Sequence, residues 1–253
     1  MGRRLTEFPR TDGKGAHHTV CPCPIAMNIS AQFKLRDELS VCQVDDHLIF
    51  LDIDKDLYFR LPATLERAFL DYMAGSDGSN AGIAGLIEHQ ILVATNTPAL
   101  QALLPIPHPN RSAIEQSIAC VSVRATTAIE VAALVWPTRR RLQTRPLRHV
   151  LESMAAERQR RATSRPQSPG PIDHVVAAAQ QFRKARRYVP VEPVCLLDSV
   201  SLVLFLARRA LHAEIIFGVT YDPFSAHCWV QAGDMALNDT VGNTGVYAPI
   251  RRV

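Results

Sequence analysis

The sequence predicts an α+β fold in two modules, and three stretches support this prediction. Between residues 28 and 61, short apolar or alternating runs are separated by acidic turn residues, a pattern typical of a strand meander. Residues 195–209 are apolar on every side of a helix, so that helix must lie inside a core. Residues 213–239 return to strand-like runs joined by turns. We therefore expect a small winged-helix-like module, followed by a buried helix packed on an antiparallel sheet.

Composition places the chain among globular proteins. Its 253 residues are 47% hydrophobic and 21% charged, with a mean hydropathy close to zero. The sequence contains no run of about 18 apolar residues, so it predicts no membrane span. The six cysteines are scattered, unlike those of a secreted disulfide scaffold. These features favour a reducing compartment, and we expect a cytoplasmic protein.

Charge is distributed unevenly along the chain. Residues 27–110 hold five Lys or Arg against eleven Asp or Glu, whereas residues 137–190 hold thirteen against three. Together with a proline-rich stretch near residues 97–110, this division predicts a flexible segment (1–27), a first module (28–105) and a second module (106–253). The basic segment lacks interleaved aromatic residues and any nucleic-acid motif, so we expect a solvated face or a surface for an acidic partner protein.

The N-terminal segment carries potential metal ligands at His17, His18, Cys21 and Cys23. The Cys-Pro-Cys spacing differs from that of a zinc knuckle, and the surrounding segment offers no scaffold. We therefore predict no metal site.

The first module is predicted to contain a three-stranded sheet and short helices. The strands are expected within Gln32–Arg36, Val41–Val44, Leu48–Ile53 and Leu57–Leu61, and the helices over Ala63–Met73 and 80–89.

Residues 44–52, which form a short hairpin, and the aromatic strand at residues 57–61 resemble PqqD-like leader-recognition domains. The resemblance implies that an extended leader peptide binds as an added strand along the edge of the third strand, beside the later helix. It places the binding groove at Leu57, Tyr58, Phe59, Leu61, Ile83, Leu86 and Ile87. The alternative is that these side chains form only the core of the small module.

The second module is predicted to contain helices over 114–136, 147–160 and 172–187, with a mobile surface loop over 161–171. Cys195 follows Pro193 and falls in the first turn of the buried helix. Unpaired backbone N–H groups and the helix dipole favour a thiolate there. The alternative is that Cys195 is an ordinary small core residue.

His227 and Asp239 follow on two predicted strands. A three-residue loop at residues 232–234 pairs Gln231 with Met235, so that His227 lies opposite Asp239 on one face. A two-residue loop would turn these two side chains to opposite faces.

Together, Cys195, His227 and Asp239 are the parts of a thiol nucleophile, its base and the group that orients the base. The thiol would attack a carbonyl carbon, and the imidazole would return its proton to the leaving amine. Backbone N–H groups at the start of the helix would stabilise the oxyanion.

The same stretch is similar to the transglutaminase-like peptidase domain of lasso-peptide biosynthesis B proteins. The resemblance covers residues 111–253 and is carried by residues 195–199, 213–219, 224–230 and 238–239. It implies removal of a leader from a ribosomally made precursor by Cys195, His227 and Asp239. It further implies a separate cyclase of the asparagine-synthetase type as partner, with ATP acting through that cyclase and no cofactor in the chemical step.

Two positions depart from the family pattern: Cys228 stands where alanine is expected, and Gln231 where an acidic residue is common. In the predicted pairing Cys228 points away from His227, so it is not expected to disturb the triad.

Two alternatives remain open. The same triad can transfer an acyl group to an amine, as a transglutaminase does, or the chain can be an inactive adaptor that only binds peptide.

Overall fold

A computed structural model describes residues 5–7, 32–74, 80–95, 106–116, 124–164 and 172–253. The described elements are β1 (Leu5–Glu7), β2 (Gln32–Leu35), β3 (Leu39–Val44), β4 (His47–Asp52), β5 (Leu57–Arg60), α1 (Ala63–Met73), α2 (Asn80–Glu88), β6 (Leu92–Thr95), β7 (Arg111–Ser112), α3 (Ala125–Thr144), α4 (Leu147–Ser164), α5 (Ile172–Arg186), α6 (Cys195–Ala207), β8 (Glu214–Thr220), β9 (Ser225–Ala232), β10 (Met235–Ala236), α7 (Val241–Thr244) and β11 (Ala248–Arg252). The predicted α+β class is confirmed. Within these ranges, no helix is both long and apolar enough to cross a membrane.

The first sheet is built on the predicted meander. β3, β4 and β5 are consecutive antiparallel neighbours in the order β1-β5-β4-β3. Asp45 and Asp46 connect β3 to β4 with φ values of 47° and 63°, the left-handed region that a two-residue hairpin turn requires. β1 lies in the segment expected to be flexible and pairs in parallel with β5. His17, His18, Cys21 and Cys23, for which no metal site was predicted, lie outside the described residues.

β2 pairs with a strand that was not predicted. Its partner β6 follows α2 and forms an antiparallel two-stranded ribbon with it. The Tyr72 hydroxyl of α1 donates to the Phe33 carbonyl at 2.7 Å and so fixes this ribbon to the helix.

The two modules share an apolar core. Ile49, Leu51 and Tyr58 of the first sheet belong to the same buried cluster as the helices of the second module. At the junction the Arg60 guanidinium donates to the Tyr221 hydroxyl at 2.8 Å, and Arg251 of β11 donates to the Ser40 hydroxyl at 3.0 Å. The first sheet therefore packs directly against the module that carries the candidate site.

Helices α3, α4 and α5 all pack on α6. The prediction of a helix over 114–136 is wrong at both ends: β7 and a turn occupy residues 111–116, and α3 continues through Pro137 to Thr144. Pro137 lies inside this helix, where it removes one backbone hydrogen bond, and burial of Val131, Leu134 and Val135 stabilises the helix around it. Residues 161–164, predicted to be loop, complete α4, and residues 165–171 lie outside the described part of the chain.

The second sheet has the order β11-β8-β9-β10-β7. Its central pair β8–β9 confirms the predicted antiparallel strands, and α6 packs against β9. The edge strands β7 and β11 and the short helix α7 were not predicted. Because β7 has only two residues and α7 only four, neither has enough length for a periodic pattern.

Candidate active site

Cys195 is the first residue of α6. The preceding Val194 is extended and supplies no side-chain cap, so no side chain occupies the amide groups of the first turn. Nine of the thirteen residues of α6 are buried, which confirms the predicted interior helix. Cys195 itself is half-buried at the end of this helix. A nucleophile at this place is held by the core and remains reachable from solvent.

The segment before the nucleophile is held by an ion pair. The Arg186 guanidinium donates to Asp198 in α6 at 2.7 Å, and it also donates to the carbonyls of Val189 and Glu192. Burial is the main cause that raises the pKa of Asp198, and the arginine opposes it. Arg186 therefore ties the loop that enters α6 to the first turn of the helix.

His227 lies on β9, directly opposite Gly218 of β8. A Cβ atom at Gly218 would lie 2.8 Å from both Trp229 and Tyr247, whose rings flank the imidazole with centroids 6.3 and 5.1 Å from it. Glycine at this position thus leaves the space for two aromatic walls that orient the histidine.

Asp239 contacts His227, but the predicted register is wrong. The hairpin loop has two residues, Gly233 and Asp234, because Met235 pairs with Ala232 and Ala236 with Gln231. Gly233 adopts a φ of +60°, which a tight turn of this kind requires. The chain leaves the ladder after Leu237 and bends, so that Asp239 Oδ2 lies 2.5 Å from His227 Nε2. The contact depends on this bend and not on cross-strand pairing.

A further residue, Asn243, holds the carboxylate in place. Its Nδ2 donates to both oxygens of Asp239, at 3.0 and 2.9 Å, and the backbone N–H of Thr240 donates to Oδ1 at 2.8 Å. Asn243 is positioned by α7, where the Thr240 hydroxyl accepts from the Asn243 N–H at the N-cap. The threonine three residues before Asn243 is the sequence signal that would have indicated this cap.

A buried serine joins the three catalytic segments. Ser199, one turn after Cys195 and fully buried, accepts from Asn238 Nδ2 at 3.0 Å and lies 3.5 Å from the Cys228 carbonyl oxygen. Asn238 Oδ1 in turn accepts from the Val230 N–H at 2.7 Å. The Asn238 side chain therefore replaces a backbone hydrogen bond between strands at the point where the pairing ends. Through Ser199 it also connects α6 to the bend before Asp239.

Cys228, which was expected to point away from His227 and to leave the triad undisturbed, contacts the nucleophile. Its side chain is 3% exposed, its Sγ lies 3.9 Å from Ser199 Oγ, and it hydrogen bonds to Cys195. This contact is the largest influence that lowers the pKa of the Cys195 thiol to about 4, against the opposing effect of burial. The hydrogen bond and charge of His227 and the backbone N–H of Cys228 act in the same direction.

The pKa of His227 is shifted in the opposite direction, upward. Burial favours its neutral form, but hydrogen bonds to Asp239 and Cys195 and the charges of both outweigh burial and raise its pKa to about 9. Because Nε2 is bonded to Asp239, Nδ1 is the nitrogen left for the sulfur. At neutral pH the pair is therefore a thiolate beside an imidazolium.

A thiolate at a helix N-terminus, paired with an imidazolium that a carboxylate orients, has the arrangement of a thiol-dependent acyl-transfer site. Residues 133–252, which include Cys195, His227 and Asp239, match the sequence model of the transglutaminase-like superfamily. Residues 133–252 therefore form a transglutaminase-like domain, which fits a superfamily of cysteine peptidases and acyl transferases. No curated protein and no solved structure matches the chain significantly.

The predicted leader-binding residues differ in exposure. Tyr58, Phe59, Leu61 and Leu86 are at most 4% exposed, and Phe59 stacks on Phe50. Leu57 and Ile83 are half-buried, and Ile87 is 38% exposed. Only these last three offer side-chain surface to a peptide. Gln231, the second departure from the family pattern, is buried and accepts from the Trp229 indole N–H at 3.0 Å.

The pH dependence of Cys195 alkylation tests the Cys195–His227 ion pair without the need for a substrate. Iodoacetamide is expected to modify Cys195 at rates that differ by less than about twofold between pH 6 and pH 8, because the thiolate fraction is already near one. The alkylation rate of an ordinary thiol should increase about 100-fold over the same two pH units. Peptide-level mass spectrometry measures each cysteine separately. His227→Ala should restore a steep pH dependence at Cys195, and a steep dependence in the unaltered protein would contradict the ion pair.

Proposed function

We propose that the chain is a cysteine endopeptidase that binds the leader of a lasso-peptide precursor and cleaves it from the core peptide. The observation that carries the proposal is the contact of His227 with Asp239 beside a thiol whose pKa is lowered to about 4. The match of residues 133–252 supports the chemistry, and the resemblance of residues 28–105 to leader-recognition domains supports the substrate.

The proposed reaction has two halves. The Cys195 thiolate forms a bond to the carbonyl carbon of the scissile peptide, and the tetrahedral intermediate collapses with loss of the amine, which takes its proton from the His227 imidazolium. The neutral imidazole then takes a proton from water, which attacks the thioester and releases the leader with a free carboxylate. Asp239 and Asn243 keep His227 oriented through both halves.

The first turn of α6 supplies the proposed oxyanion site. Its amide groups have no side-chain cap, and the positive end of the helix dipole lies there. Negative charge that develops on the carbonyl oxygen is therefore stabilised where the nucleophile attacks.

Leader capture is proposed to use the outer edge of β5. That edge accepts an added strand in this structure, since β1 pairs in parallel with residues 58–60. Backbone hydrogen bonds would supply affinity, and the partly exposed side chains Leu57, Ile83 and Ile87 would supply register.

Ile87→Glu is expected to weaken leader binding about tenfold, since the change removes one apolar contact of roughly 1.4 kcal/mol. Leu70→Glu is the matched control, because Leu70 is an apolar residue on α1 whose exposed fraction, 43%, is close to the 38% of Ile87. The Kd is measured with a labelled leader peptide. Equal effects of the two variants, or none at Ile87, would reject α2 as part of the groove.

Deletion of residues 1–27 should tighten binding if β1 competes for the edge.

The function itself is tested by incubating the full chain with a lasso precursor and separating the products by mass. A free leader with a carboxylate terminus is the expected product. The same incubation with an added primary amine distinguishes the transglutaminase alternative, since an amide-linked leader would then replace the acid. We further propose that the released core peptide passes to a cyclase of the asparagine-synthetase type, which uses ATP for ring closure.

A further inference from the structure

A cavity of about 370 Å³ opens beside α6, away from the candidate active site. It lies between α3 and α4, which pack much more closely on α6 than on each other. None of the three candidate catalytic residues lines it. Its floor is apolar and consists of Leu134, Val150, Met154, Val200 and Leu204.

The rim of this cavity is basic. On α3 the lining residues Leu134, Thr138 and Arg141 follow one another at helical spacing, so a single face runs from the buried floor to an exposed guanidinium group. The exposed Arg145 lies directly after the end of the helix. Arg160 of α4 and Arg208, which follows α6, complete the rim.

Acidic groups compensate only part of this charge. The single carboxylate of the lining, Glu157, is ion-paired with Arg160 and with Arg161, and Glu130 lies 3.7 Å from Arg208. Over the described ranges no acidic side chain forms an ion pair with Arg141 or Arg145. Both arginines are therefore available to carboxylates from outside the chain.

We propose that this cavity is the docking site for an acidic segment of a partner protein, which inserts an apolar side chain between α3 and α4 and places carboxylates on Arg141 and Arg145. A small anion on the rim alone would remain in water, where an ion pair contributes little. A segment that also covers the apolar floor combines desolvation with several charge pairs. The open cavity and its apolar floor thus favour a protein segment over a small anion.

This proposal is independent of the proposed peptidase activity, since it rests on residues that do not touch the triad. The floor residues Val200 and Leu204 do belong to the helix that begins with Cys195. A partner bound here would contact the nucleophile helix from its side while leaving the entrance to Cys195 open.

The test uses the full chain and a fluorescently labelled probe peptide in which glutamates alternate with leucines. Fluorescence anisotropy is expected to show saturable binding that weakens with salt. Arg141→Glu combined with Arg145→Glu should weaken binding at least about tenfold. Arg139→Glu combined with Arg140→Glu is the matched control, because these two arginines are exposed on α3 next to Arg141 but do not line the cavity. The control should change the Kd by less than about twofold.

Four outcomes would overturn the proposal. Absence of saturable binding by the probe would remove the site, and equal losses in the two double variants would show unspecific attraction to a basic surface. Displacement of the probe by sodium pyrophosphate at low millimolar concentration, or undiminished binding of a probe with serine in place of leucine, would indicate a small-anion site instead. Unchanged alkylation of Cys195 verifies that each variant is folded.

Discussion

Replacing Cys195 with alanine is expected to lower kcat/KM for leader cleavage by at least about 10⁴-fold, because the variant lacks the atom that forms the acyl intermediate. Binding of the leader should be unchanged within about twofold, since the β5 edge lies in the other module. Two measurements separate these effects: single-turnover cleavage of a precursor followed by mass spectrometry, and the Kd of a labelled leader peptide.

The matched control for this experiment is Cys228→Ala. Cys228 is a second thiol next to the first, and its hydrogen bond lowers the pKa of Cys195. Its loss should reduce the rate by about tenfold, with the midpoint of the acid limb moved to higher pH. If instead Cys228→Ala abolishes cleavage and Cys195→Ala retains it, the nucleophile has been assigned to the wrong sulfur. Retention of cleavage in both variants would reject thiol catalysis by this chain. Leader binding without any cleavage in the unaltered chain would favour the adaptor alternative.

The elements that the sequence predicts well are those with a long, unambiguous pattern. Helix α1 begins and ends where predicted, at Ala63 and Met73, because its apolar spacing is bounded in the sequence by Pro62 and by glycine, serine and aspartate residues. Helix α6 is equally clear, since a run of apolar residues on all faces has only one stable environment. In both cases local sequence and tertiary packing favour the same structure.

The elements that the sequence does not predict depend on partners distant along the chain. β6 exists because β2, nearly sixty residues earlier, offers an edge, and β11 exists because β8 does. Strands of this kind carry little local signal, since their stability comes from cross-strand contacts and burial.

The hairpin before Asp239 shows how a wrong register can accompany a correct site. Three residues were expected in the loop, and the structure has two, which by strand alternation alone would separate His227 from Asp239. Early departure of the chain from the ladder, held by Asn238 and Ser199, restores the contact. Residue types and chain order therefore indicate the triad, whereas the residues that position it become visible only in three dimensions.

Asp239→Asn tests whether the carboxylate orients the imidazole. The amide of the variant has one acceptor oxygen and one NH2 donor, whereas both His227 and Asn243 donate to Asp239. Its NH2 group therefore meets another donor and cannot form the hydrogen bond that the second carboxylate oxygen forms. We expect kcat to fall by about 10² to 10⁴-fold with little change in KM. The alkaline limb of the pH profile should move to lower pH, since loss of the negative charge removes a cause that raises the pKa of His227.

The double variant Asp239→Asn with Asn243→Asp supplies the sharper control. Asn243 Nδ2 lies 3.5 Å from His227 Nε2, so the exchanged pair returns a carboxylate to the neighbourhood of the imidazole. If charge near Nε2 is what matters, the double variant should recover at least about tenfold of the lost rate and return the alkaline limb toward pH 9. Recovery of the limb without recovery of the rate would mean that the position of the carboxylate matters as well as its charge. A single variant Asp239→Asn with unchanged rate and unchanged pH profile would remove Asp239 from the catalytic arrangement, because a group that orients and charges His227 cannot be neutralised without effect on either.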